Sequence, residues 1–138
     1  PIWEGTTNVL SLDTLRALQD TGGLGLVQRE VGFIQQGVKE PVLLRCTAQV
    51  ERVLEQAQQW LATHAMTNTA ALEAGARRFA LTVGRALELA LLLRHAQWAL
   101  DHEQDARPLA AARRFAAHGV NRLTEMNADD ASILARDT

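Results

Sequence analysis

The chain has 138 residues, 47% hydrophobic and 22% charged, a balance typical of one soluble globular domain. Its formal net charge of -2 argues against binding nucleic acid or anionic lipid through bulk electrostatics. The single cysteine, Cys46, excludes an internal disulfide, and no apolar run reaches the ~20 residues of a membrane span. These features favour a cytoplasmic protein in which Cys46 is a buried core thiol.

The first predicted helix runs from about Asn8 to Gln19. Thr6 or Thr7 can cap its start, because a hydroxyl oxygen accepts a hydrogen bond from an otherwise unpaired backbone N–H. Residues 20–23 end the helix, since glycine readily adopts the positive φ of a helix C-terminus. The helical spacing of apolar residues predicts a buried stripe of Val9, Leu12, Leu15 and Leu18.

A second helix is predicted from Leu24 to about Gly37, and a third from Pro41 to about His64. Pro41 suits the first turn of a helix, where its missing N–H costs nothing. Apolar residues three and four apart predict the inner faces. These faces comprise Leu26, Val27, Val31 and Ile34 in the second helix and Leu43, Val50, Val53, Leu54, Ala57, Trp60 and Leu61 in the third.

The fourth predicted helix is the longest, from about Ala70 to His102, with Asn68 or Thr69 as its cap. Because residues 86–93 are apolar on most sides, this helix is expected to be the central element. Its predicted buried positions are Leu72, Ala76, Phe79, Val83, Ala86, Leu87, Ala90, Leu91 and Leu100.

A fifth helix is predicted from about Pro108 to Glu125, and the remaining residues offer only Ile133 and Leu134 for burial. No strand pattern competes with the helical periodicity. Long helices with short connectors predict an all-α fold, an antiparallel bundle of about four to five helices. The inward positions of the fifth helix are Leu109, Ala112, Phe115, Ala116, Val120 and Leu123.

The segment before the first helix, residues 2–8, carries the most specific chemistry. An isolated acidic residue near a helix N-terminus is most often there because the helix dipole favours it. A carboxylate between an aromatic residue and a glycine can also act as a base. Desolvation by a bound substrate would raise the pKa of Glu4 toward neutrality, and Gly5 lets the backbone approach a ligand closely.

The string Ile2-Trp3-Glu4-Gly5-Thr6-Thr7-Asn8, followed by Val9, Leu10 and Leu12, resembles the catalytic-base motif of acyl-CoA dehydrogenases. The resemblance implies that Glu4 removes the α-proton of an acyl-CoA thioester while hydride passes to N5 of FAD. It also implies that the backbone N–H of Glu4 polarises the thioester carbonyl. The remaining implied roles are substrate contact for Trp3 and Gly5 and FAD contact for Thr6, Thr7 and Asn8.

The same resemblance implies that residues 1–22 complete a catalytic region and that residues 23–138 form an appended helical bundle. The chain would then be the C-terminal piece of a larger flavoenzyme of fatty acid metabolism. By itself it is expected to be inactive and not to retain FAD. The parent is expected to be a homo-oligomer that passes electrons to an electron-transfer acceptor.

An alternative interpretation is nonenzymatic. Trp3 replaces the commoner Tyr or Phe, and together with residues 77–80 and 91–96 it is similar to the adaptive-response (AidB-like) branch. The chain would then be a helical module for oligomerisation or DNA association. The arginines that could meet phosphates are Arg77, Arg78, Arg85, Arg94, Arg107, Arg113, Arg114 and Arg122. Acidic residues are interleaved with them and instead favour a solvated face on which the arginines form ion pairs. These acidic residues are Glu73, Glu88, Glu103 and Asp105.

Two further patterns point to structure rather than chemistry. His95 and His102 are seven residues apart, ~10 Å along a helix, which is too far to share one metal ion. We therefore expect no metal site. The segment of residues 22–25 is glycine-rich, but no strand precedes it and no Lys follows at phosphate-loop spacing, so it is predicted to be a connector.

Overall fold

The computed structural model describes residues 2–65, 69–123 and 133, and the side chains of residues 2–6 and 8 lie outside this description. The described residues contain no strand, which confirms the predicted all-α bundle. None of their helices is long and apolar enough to cross a membrane. The helices are α1 (Ile2–Asp20), α2 (Gly25–Gln35), α3 (Pro41–Ala65), α4 (Thr69–His102) and α5 (Arg107–Ala117).

Helix α4 lies at the centre, as predicted, and packs against α1, α2, α3 and α5. Its buried side chains contribute to two apolar clusters that follow one another along the helix. The first cluster surrounds Phe79 and includes Leu15 of α1 and Leu61 of α3. The second surrounds Leu89 and Leu93 and includes buried residues of α2, α3 and α5.

The closest approach between α3 and α4 depends on a glycine. Trp60 of α3 packs directly on Gly75, so that a methyl group at position 75 would overlap the indole, with Cη2 only 2.8 Å away. The indole also stacks on Phe79, with ring centroids 5.3 Å apart. Glycine at this position therefore lets an aromatic ring fill the space between two backbones.

Two connections are fastened by glutamines from other helices. Between α2 and α3, the Oε1 atom of Gln97 accepts hydrogen bonds from the backbone N–H groups of Lys39 (2.8 Å) and Glu40 (2.9 Å). Between α1 and α2, the Oε1 atom of Gln58 accepts one from the N–H of Leu24 at 2.8 Å. These bonds satisfy backbone donors that the short connections leave outside regular helix.

The start of α1 differs from the prediction. The helix begins at Ile2 rather than Asn8, so Thr6 and Thr7 lie within it and the predicted capping role is wrong. No proline interrupts the residues after Ile2, and the one glycine among them, Gly5, costs a helix only about 1 kcal/mol. The helical backbone therefore extends through the segment. The predicted capping residue Asn68 lies outside the described residues, and Thr69 is the first residue of α4.

Helix α5 ends at Ala117, so the predicted end at Glu125 is wrong. Gly119 adopts a φ of +81°, which a helix cannot continue through. The chain then returns to α4, where the backbone N–H of Arg122 donates to Oγ1 of Thr82 at 2.9 Å. Val120 is buried in this return, although it is not helical. Burial here follows from a turn rather than from a continued helix.

Most predicted inward residues are buried or half-buried, but three predicted stripes include a residue that is not. Val9 is 54% exposed, whereas Ser11, two residues further along α1, is buried, and Leu26 is 56% exposed on α2. Leu91 is 41% exposed on a side of α4 that no described helix covers. Ile133 is 63% exposed, and Leu134 lies outside the described residues.

We expect Gly75→Ala to lower the free energy of unfolding by about 1–3 kcal/mol, because the added methyl group forces Trp60 or a backbone to move. Gly32→Ala is the matched control, since nothing lies within 4 Å of a Cβ at that position on α2. This control should raise stability by about 0.5–1 kcal/mol through helix propensity. Urea denaturation followed by circular dichroism measures both, and equal effects would contradict the packing argument.

A second pair of variants compares two buried glutamines. Gln97→Met should cost about 1–3 kcal/mol for each N–H donor left without an acceptor. The side-chain amide of Gln35 is buried with no hydrogen-bond partner among the described residues, so Gln35→Met should be neutral or stabilising. Thermal and urea unfolding should therefore show a loss of stability for Gln97→Met and none for Gln35→Met, and a larger loss for Gln35→Met would refute this assignment.

Candidate functional site

The candidate catalytic segment occupies the first two turns of α1 rather than a loop. The side chains of Trp3, Glu4, Thr6 and Asn8 lie outside the described residues, so their predicted roles stay predictions. Gly5 is helical. The segment therefore has a defined backbone, and its chemistry rests on side chains that the described structure does not place.

The surface next to this segment is apolar and uncovered. Val9 is 54% exposed and Leu10 is 60% exposed, whereas Leu15, further along the same helix, is 3% exposed. Thr7 is also exposed, and its carbonyl oxygen accepts a hydrogen bond from Oγ of Ser11 at 2.8 Å. Thr7, Val9 and Leu10 are therefore left exposed by the helices that bury Leu15.

Cys46 fits the predicted structural role, with one difference. It is half-buried rather than fully buried, and it packs against the second cluster. Burial raises the pKa of its thiol, while the neighbouring guanidinium groups of Arg45 and Arg113 act in the opposite direction. The thiol consequently favours its protonated form, which is a poor nucleophile.

The histidines of α4 are engaged with an aromatic ring. The ring of Trp98 stacks with the rings of His95, which precedes it, and His102, which follows it. The centroid distances are 6.1 Å and 5.2 Å. Within the described part of the chain, no three His, Cys, Asp or Glu residues come close enough together to hold a metal ion. His102 also makes a polar contact, since its Nδ1 lies 2.9 Å from the carbonyl oxygen of Trp98.

Two of the arginines, Arg85 and Arg107, have partners within the chain. Arg85 lies 4.4 Å above the ring of Phe115 and donates from Nε to the carbonyl oxygen of Gly119 at 3.1 Å. Arg107 forms a 2.7 Å ion pair with Asp105, one of the predicted acidic partners, and its hydrogen bonds hold the pKa of that carboxyl below its usual value. These contacts weaken the nucleic-acid interpretation, because they explain the two arginines without an external phosphate.

The glycine-rich segment is a connector, as predicted. Gly22 and Gly23 adopt φ values of +80° and +98° between α1 and α2. The N–H of Gly23 donates to the carbonyl oxygen of Leu18 at 2.7 Å, which closes the end of α1. The positive φ values of these two glycines thus allow α1 to end and the chain to turn into α2.

The sequence analysis missed an uncovered apolar face on α4. Leu81, Leu91 and Trp98 are 47%, 41% and 46% exposed. A shallow depression of about 470 Å³ lies between them, lined by Gly84, Leu87, Glu88, Leu91, Leu92 and His95. The available signal was the repeat of residues 84, 91 and 98 at seven-residue intervals, which is typical of a second apolar stripe.

The described residues define an all-α helical domain whose candidate catalytic motif lies at the start of its first helix. A family model described as "Acyl-CoA dehydrogenase 11 C-terminal domain-like" matches residues 27–136. The chain belongs to this family of acyl-CoA dehydrogenase C-terminal domains. The match begins after the motif, so the roles of residues 3–8 and the division at residues 22 and 23 stay predictions.

One curated relative is the "Acyl-CoA dehydrogenase family member 11" of Caenorhabditis elegans, which is 35% identical over 104 residues. The alignment covers 70% of this chain and 16% of the relative, so the chain spans about a sixth of the relative it matches. No solved structure matches the chain. The specific similarity to the adaptive-response branch stays a prediction.

Proposed function

We propose that this chain is the C-terminal helical part of an FAD-dependent acyl-CoA dehydrogenase, in which residues 1–22 complete the catalytic region. The observation that carries the proposal is the string at residues 2–8, which resembles a catalytic-base motif, on a chain whose residues 27–136 match the acyl-CoA dehydrogenase 11 C-terminal family. The parent reaction is α,β-dehydrogenation of an acyl-CoA thioester in cytoplasmic fatty acid metabolism. An electron-transfer acceptor and self-assembly of the parent belong to the same proposal.

Glu4 is the proposed base for the α-proton of the substrate. Its backbone N–H is proposed to polarise the thioester carbonyl and so acidify that proton. Bound FAD supplies the acceptor for the β-hydrogen, which leaves as hydride. A carboxylate is basic enough for this step once the substrate has excluded water from around it.

The surroundings of the motif suit contact with a larger body. The exposed hydroxyl of Thr7 is available to a cofactor, and Trp3, Gly5, Thr6 and Asn8 are proposed to complete the substrate and FAD contacts. Val9 and Leu10 supply apolar surface beside them. Full burial of a leucine-sized side chain contributes about 1.5–3 kcal/mol, so covering this end of α1 is favourable.

In the full-length parent, Glu4→Gln should retain FAD and bind acyl-CoA but lose at least about 10²-fold in the rate of flavin reduction, because an amide cannot accept the α-proton. Stopped-flow bleaching of the flavin by acyl-CoA measures this rate. Asp13→Asn, an exposed carboxylate further along α1, is the control and should keep the normal rate. Unaltered flavin reduction in the Glu4 variant would show that the base lies elsewhere.

The isolated 138-residue chain should purify without flavin, because Thr7, Val9 and Leu10 beside the proposed contacts are exposed and the rest of the proposed pocket belongs to the parent. The visible absorbance of the purified protein, before and after incubation with FAD and desalting, measures retention. Stoichiometric flavin after desalting would contradict the proposed division of the site between this chain and the rest of the parent.

A further inference from the structure

The outer side of α4 carries a stripe of residues at intervals of three and four, which places them on one helical face. We call this the outer stripe: Leu81, Gly84, Glu88, Leu91, His95 and Trp98. Its three large apolar side chains are each more than 40% exposed, while the opposite side of the same helix forms the core. In the described part of the chain, no helix packs over the stripe.

Gly84 has no packing reason within the chain. Glycine in a helix interior is destabilising relative to alanine. At Gly75 a neighbouring indole requires it, but a Cβ at Gly84 would meet nothing within 4 Å. A glycine on an exposed apolar face is explained if another molecule approaches the helix backbone there.

Trp98 is an exposed side chain held in place before any partner arrives. Its ring stacks on His95 and on His102, and Nδ1 of His102 lies 2.9 Å from the carbonyl oxygen of Trp98. A large aromatic ring with restricted rotation loses little entropy on binding. Tryptophan is also among the residues that contribute most to protein interfaces.

We propose that the outer stripe binds the outer stripe of a second copy of this chain, with the two α4 helices antiparallel and a two-fold axis at Leu91. Gly84 precedes Leu91 by seven residues and Trp98 follows it by seven. The axis therefore sets Trp98 of each copy against Gly84 of the other. The largest exposed ring of the stripe thus meets the position that has no side chain.

The polar side chains of the stripe, Glu88 and His95, fit the same arrangement. Glu88 precedes the axis by three residues and His95 follows it by four, so the carboxylate of one copy lies beside the imidazole of the other. Because the interface is isologous, this contact and the Trp98–Gly84 contact each occur twice. A different protein would have to supply partners for Glu88, His95, Trp98 and Gly84 without a two-fold axis that repeats each contact.

The interface rests mainly on one helix from each copy, so it is smaller than the ~1,600 Å² of a standard stable complex. The association is accordingly concentration-dependent. It concerns the face of α4 alone and does not depend on the proposed base Glu4. A failure of the dehydrogenase proposal and a failure of this one are therefore distinguishable.

Sedimentation velocity of the chain over a hundredfold concentration range tests the stripe. We expect a monomer–dimer equilibrium that Trp98→Ala and Gly84→Leu each weaken at least tenfold. Phe33→Ala is the control, because Phe33 is 68% exposed on α2, outside the stripe, and its removal should change nothing. Circular dichroism confirms that each variant folds. A monomer at all concentrations, or dimers insensitive to Trp98→Ala, would overturn the proposal.

Cysteine cross-linking tests the two-fold axis. In a Cys46→Ala background, Leu91→Cys brings two thiols together on the axis, within the Cα separation that a disulfide allows. With oxidised glutathione as the oxidant, it should form a covalent dimer at least tenfold faster than Phe33→Cys in the same background. Equal rates, as expected if another protein or the parent catalytic region covers the stripe, would overturn this geometry.

Discussion

The contact of α4 with every other helix is the constraint on which the fold depends. This helix has 34 residues, so it is roughly 50 Å long and accommodates two apolar clusters in succession. Helices α1 and α3 meet its first half around Phe79, and α2, α3 and α5 meet its second half around Leu93. The close contact of Gly75 with Trp60 sets how near α3 lies. The positions of the remaining elements follow from which half of α4 they contact.

The two shortest helices show why this contact is needed. Helices α2 and α5 have 11 residues each, which is too short for a helix to be stable on its own in water. Tertiary bonds near their ends compensate. Gln97 holds the connection after α2, and Nε2 of Gln49 donates to the carbonyl oxygen of Ala116 at 3.2 Å near the end of α5. Long helices thus supply the side chains that fix the short ones.

Local sequence signals explain which helix boundaries could be predicted from the sequence. The bounds of α3 and α4 were predicted to within a residue, because Pro41 and the residues around His102 are local start and stop signals. The end of α5 was not, because Val120 and Leu123 continue the apolar spacing although Gly119 turns the chain. The exposure of Leu91 was also missed, since periodicity identifies apolar faces but not what covers them.

The candidate site, like the fold, could be predicted from the sequence only in part. A contiguous string of residues is readable in a sequence, and residues 2–8 were recognisable for that reason. The cap predicted at Thr6 or Thr7 was wrong because α1 is already helical from Ile2 and runs through the motif. Among the described residues, the buried contacts between α1 and the rest of the bundle centre on Leu15. Periodicity identifies such contacts but does not define the walls of a pocket.

The two uncovered apolar surfaces are compatible with one assembly. Helix α1 packs on the part of α4 near Ala76, about 15 residues before Leu91. At 1.5 Å per residue, an antiparallel pair centred on Leu91 separates the two α1 docking regions by roughly 45 Å along the helix axis. Each motif would then lie away from the shared stripe. Pairing of α4 consequently leaves both copies of Val9 and Leu10 available to a catalytic body, so occupation of one surface does not exclude occupation of the other.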